Sequence, residues 1–137
     1  MAQPHVWLKE AIEEATEVTA WPVGMTGKEG PPFVIYAREA TSREQLLQDL
    51  LEEEPVLDVT PPVATFTVGV YADDYVQAWE IAGKITVAIH KFAGTAHDVS
   101  VEVCMVRDER DGQPEYLEGR EVPTFVVEQT VEIRWAE

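Results

Sequence analysis

The chain has one cysteine in 137 residues, only ten Lys and Arg, and no uninterrupted apolar run near the roughly 20 residues of a membrane helix. Each shortage excludes something. Cys104 lies in V-S-V-E-V-C-M-V with no second thiol for a disulfide or a thiolate metal site, and a reducing compartment fits. The scarcity of cations against 26 Asp and Glu leaves a net charge of −16, a field that repels phosphate backbones and anionic lipid. The N-terminus M-A-Q-P-H-V-W-L-K-E-A-I-E-E has no apolar core of a signal peptide, so the protein is expected to be soluble where it is made, without a membrane partner.

What is present is ordinary globular material. Hydrophobic residues make up 45% and charged residues 26%, enough apolar surface for one core in a single domain over 1–137. Leu8, Ile12 and Ala15 recur at helical spacing from about Pro4 to Val18, with Glu10, Glu13, Glu14 and Glu17 on the other faces. The Gly- and Pro-rich stretch from Trp21 to Pro32 predicts turns, and Phe33 to Ala37 a short strand. Thr41 and Glu44 have capping-box spacing, and Leu46, Leu47, Leu50 and Leu51 form a stripe before Pro55, which predicts a helix over 41–54.

Val63 to Tyr71 alternates as a half-buried strand, with Ala64, Phe66, Val68 and Val70 on one side. Ala78, Ile81, Ala82, Ile85, Ile89 and Phe92 then mark the strongest helix, capped by Asp73 or Asp74 and released at Gly94. Two more strands follow, with inward rows Val99, Val101, Val103, Met105 and Phe125, Val127, Val131, Ile133, Trp135, the second interrupted by Gln129. The polar residues from Arg107 to Glu121 are expected to join them as a long hairpin loop. The fold class expected is α+β: an antiparallel four-stranded sheet with two main helices packed on one face, plus one inserted helix.

No motif in this sequence carries recognisable catalysis. His5, His90 and His97 lack the spacing of zinc ligands, and Asp73 and Asp74 stand where a helix start calls for an acceptor. Gly24-Met25-Thr26-Gly27-Lys28 lacks the spacing of a phosphate loop, and Asp108, Glu109, Asp111 and Glu115 do not follow a calcium-loop order. Ser42 and Ser100 sit in no nucleophile elbow. Trp7, Trp21, Trp79 and Trp135 suit a core or a subunit contact. Neither an enzymatic reaction nor a cofactor nor a metal is expected.

The segment V-A-T-F-T-V-G-V-Y-A-D-D-Y-V-Q-A-W-E-I-A-G-K-I-T-V-A-I-H resembles the strand-to-helix core of the tail terminator (tail completion) proteins of long-tailed phages and prophages. The last strand, F-V-V-E-Q-T-V-E-I-R-W, is similar to the closing strand of that family, and the helix over 41–54 looks like an insertion. The resemblance implies a homo-oligomeric ring, usually of six copies, in the virion at the head-proximal end of the tail. Such a ring is assembled in the host cytoplasm, ends polymerisation of the tail tube protein and meets the head-tail connector protein. DNA would pass an acidic lumen without specific binding.

A ring needs two different patches in head-to-tail contact. The candidates for contacts with neighbouring copies or the tube are Lys28, Glu29, Arg107, Asp108, Glu109, Arg110, Asp111, Glu115, Tyr116 and Arg120. Two other readings stand beside this one: a different neck component bridging head and tail, and a small-ligand-binding α+β domain.

Overall fold

A computed structural model describes residues 3–24, 30–42, 62–116 and 123–136. The elements in chain order are α1 (Pro4–Thr16), β1 (Ala20–Pro22), β2 (Phe33–Ser42), β3 (Val63–Ala72), α2 (Tyr75–Ile89), β4 (Gly94–Ala96), β5 (Val99–Asp111) and β6 (Phe125–Ala136). The expected four-stranded antiparallel sheet is corrected: six strands lie in the order β1-β2-β3-β6-β5-β4, and β1 runs parallel to β2. The two added strands are three residues each and sit at the edges, too short to show a period in sequence.

Pro4 opens α1 at a position where its missing N–H costs nothing, and Glu17 closes the helix in the left-handed region at φ 58°. Trp7, Leu8 and Ile12 are buried beneath it, each contributing about 1.5–3 kcal/mol by removal from water. Glu13 fastens the helix end to the sheet. One carboxylate oxygen accepts from the Ala20 N–H at 3.1 Å while the other meets Lys9 Nζ at 2.6 Å.

β2 is longer than Phe33 to Ala37. It continues through Thr41 and Ser42, which pair with Ala64 and Val63, after a bulge at Glu39 absorbs one residue. Thr41 is therefore a strand residue rather than the first cap of a helix, and the rest of the helix expected over 41–54 falls outside the described residues. In β3, Ala64, Phe66, Val68 and Val70 are all fully buried, as the alternation predicts.

Asp74, not Asp73, is the N-cap of α2: its carboxylate accepts from the Val76 N–H at 2.9 Å. Replacement by Ala removes that acceptor, and Asp74→Ala is expected to lower folding stability by about 1 kcal/mol in denaturant titration. The α2 face of Ala78, Ile81, Ala82, Ile85 and Ile89 is buried against the sheet, and α1 packs beside it. Trp7 stacks on Phe92 with ring centroids 5.1 Å apart, which closes the core beneath both helices.

β5 departs from the expected row. Register shifts between Val101 and Val103 and between Val106 and Asp108 insert Glu102 and Arg107 as extra residues. Between the two bulges the faces exchange, so Cys104 is buried whereas Val103 and Met105 turn to the far face of the sheet. Burial pushes the Cys104 thiol up to about 12, so the folded protein is expected to resist maleimide at neutral pH and to react once unfolded. Rapid labelling without loss of structure would contradict that burial.

Candidate assembly surface

The expected loop from Arg107 to Glu121 is corrected for its first part, because Arg107 to Asp111 belong to β5 and Asp108 to Asp111 pair with β6. The bulge at Arg107 divides their side chains between the two faces. On the face away from the helices, Arg107 Nε reaches Glu132 at 3.0 Å, and Arg110 bridges Asp108 at 2.6 Å and Glu128 at 3.1 Å. These exposed cross-strand pairs contribute little stability, but charges along this outer strand discourage indiscriminate strand pairing.

Glu109 and Asp111 point the other way, toward α2. Asp111 accepts from Trp79 Nε1 at 2.8 Å and from the Tyr75 hydroxyl at 3.1 Å, tying the sheet to the first turns of α2. Glu109 accepts from the Thr86 hydroxyl. Beside it, fully buried Gln129 donates from Nε2 to the Ala82 carbonyl at 2.9 Å and to Thr86 Oγ1 at 3.0 Å, while its Oε1 has no hydrogen-bond partner among the described residues. The polar break in the β6 row is thus an amide that clamps sheet to helix. The sequence pattern marked the interruption without revealing what it would meet.

Beyond β5 the chain is held once more. Glu115 exchanges backbone hydrogen bonds with Thr124 at 3.0 and 2.6 Å, and this bridge presents Tyr116, which is 71% exposed. Tyr71, stacked on Phe33 at 4.9 Å, has its pKa raised, first by burial and then by the charges of Glu115 and Glu128. Lys28, Glu29 and Arg120 lie outside the described residues.

The histidines stay apart. His5 Nδ1 is 3.4 Å from Arg38, and its pKa is lowered, first by burial and then by that guanidinium. His90 Nδ1 accepts from the Val106 N–H at 3.0 Å. His97 faces Glu14 at 3.2 Å from a two-residue turn whose residues both have positive φ. Among the described residues no group of three or more His, Cys, Asp or Glu is placed to hold a metal ion, and no helix is long and apolar enough to cross a membrane.

A surface that sequence reading did not single out lies between the helices. Ala15 of α1 and Gly83, Val87 and Ala88 of α2 line an open apolar groove with Glu80 and Lys84 at its rim. Val87 is 87% exposed and Val76, one end of the same helix face, 59%. The signal available was the non-core face of α2, where Val76, Gly83 and Val87 stand in place of charges.

No protein-family model matches the chain, and no curated protein matches it. Solved structures do. A chain in the virion of a native gene transfer agent particle superposes with a TM-score of 0.56 at 12% identity, over 93% of this chain and 83% of that one. The likeness is one of fold. A second solved structure, which carries no descriptive name, matches with a TM-score of 0.55 at 10% identity over 99% of this chain and 98% of its own. Near-complete coverage at such low identity means that the helix-and-sheet framework is shared while the surface residues have to be argued from this chain alone.

Gly83 is a case in point. It sits inside α2, where glycine costs about 0.5–1 kcal/mol relative to alanine, yet a Cβ built there meets nothing within 4 Å. Gly83→Ala is expected to raise folding stability by that amount in thermal or denaturant unfolding.

Proposed function

We propose that the chain is a structural component of a tailed, phage-type particle, and within it the tail terminator. Copies form a ring, of six by analogy with the family the sequence resembles, at the head-proximal end of the tail. The ring caps the tube protein, ends its polymerisation and offers a seat to the head-tail connector protein. It works by shape and forms or breaks no covalent bond.

The observation that carries this reading is the fold shared along 93% of the chain with a chain of a gene transfer agent virion. The resemblance of the β3–α2 segment and of β6 to tail terminators supports the narrower role. Charge supports it too, since six copies at −16 each line a passage that DNA traverses without being gripped.

Electron microscopy of particles assembled without the chain tests the role. Free heads with overlong tails are the expected result. Normal-length, capped tails detached from heads would instead assign it to a different neck component, and unaltered particles would remove it from the structure altogether.

A further inference from the structure

We propose that Tyr116 and Glu115 of one copy seat in the α1–α2 groove of the next, with Tyr116 on the apolar wall and Glu115 paired to Lys84. This rests on the ring reading above and names the contact that closes the ring.

The groove has the chemistry to receive an aromatic knob. Val87 is left 87% exposed and Gly83 leaves open space where a side chain would stand, so among the described residues neither is covered by the fold of a single copy. Glycine at Gly83 is understandable if another surface must approach the helix backbone closely. The knob is equally distinct. Tyr116 is the most exposed aromatic among the described residues, and it follows directly on Glu115, whose backbone is held by the bridge to Thr124. Aromatic side chains that fill apolar pockets dominate contact energies between proteins.

Charge selects a second copy as the occupant. Lys84 is one of only ten cationic residues and, among the described residues, makes no ion pair or hydrogen bond. The residue beside the knob is the carboxylate Glu115, which complements Lys84, the one cation among the described residues that line the groove, one helical turn along the rim from the acid Glu80. Copies at −16 repel one another, so an apolar contact with a matched charge at its edge is what association requires. Knob and groove are different surfaces, so the contact is head-to-tail and generates a ring or a filament rather than a two-fold dimer.

Sedimentation of the full chain and its variants over a concentration series tests the pairing. Wild type is expected to form a closed oligomer. Glu115→Lys and Lys84→Glu are each expected to weaken association about tenfold, and Tyr116→Ser at least as much. The double variant Lys84→Glu/Glu115→Lys, which restores both net charge and pairing, is expected to return to within about threefold of wild type. Glu115→Lys is decisive because it reduces the repulsion between copies, so a purely global charge effect would strengthen assembly. An intact wild-type oligomer with unaffected single variants, or a double variant no better than either single one, overturns this contact and leaves the ring reading standing. A wild type that stays a single copy overturns both. Gly83→Leu keeps the test independent of charge: it fills the groove and should dissociate the oligomer while each copy retains its thermal unfolding transition.

Discussion

Trp7→Ala is expected to lower folding stability by about 3–5 kcal/mol, the largest effect of any substitution considered, and to depress Tm by roughly 10–20 °C. Trp7 is 2% exposed at the junction where α1 meets the chain leaving α2, and its ring stacks on Phe92 at 5.1 Å. Removing the indole strips the transfer energy of a large buried ring and leaves a cavity. The lining of that cavity cannot readily collapse, because Leu8 and Ile12 are held on the same helix and Phe92 is fixed by backbone bonds to Cys104 and Ile89. Trp7→Phe retains part of the stack and should recover about half of the loss. A cost below about 1 kcal/mol for Trp7→Ala in denaturant titration would mean that α1 is not packed as described.

Gln129→Ala is expected to cost about 2–4 kcal/mol, and Gln129→Leu less than about 1 kcal/mol. The alanine variant opens a void between β6 and α2 and removes the donor shared by Ala82 and Thr86. Leucine loses the same hydrogen bonds but fills the space and removes a buried amide oxygen that has no partner among the described residues. The order of the two variants is the point. If Leu were as damaging as Ala, the amide's hydrogen bonds would outweigh its volume, and the clamp would be chiefly polar.

Much of this framework was legible in the residues. The row Ala64, Phe66, Val68 and Val70 and the period of Ala78 to Ile89 are unbroken, so strand and helix follow from spacing alone. What escaped is local and has physical causes. β1 and β4 are three-residue edge strands, recruited by neighbours rather than by their own pattern. Bulges at Glu102 and Arg107 exchange the faces of β5 twice, which no alternation reveals because Val103, Cys104, Met105 and Val106 are apolar on both faces. The charged run from Arg107 to Asp111 reads as loop, yet it is strand because Glu128 and Glu132 on β6 supply partners for its arginines and α2 supplies donors for its acids.

The candidate surface divides in the same way. Tyr116 and Glu115 were visible as polar-hairpin residues, whereas the groove was not, because Ala15, Gly83 and Val87 become one surface only when two helices pack side by side. Single exposed valines mean little, but a lined groove beside a lysine with no ion pair among the described residues has directional chemistry.

As a terminator, this chain is expected to act on a growing tail by occupying its end. Purified protein mixed with polymerising tail tube protein, with tube lengths measured by electron microscopy, addresses that directly. Shorter, uniformly ended tubes carrying the chain at one tip, in proportion to the amount added, are the expected result of this role. Tubes of unchanged length with bare ends would contradict it.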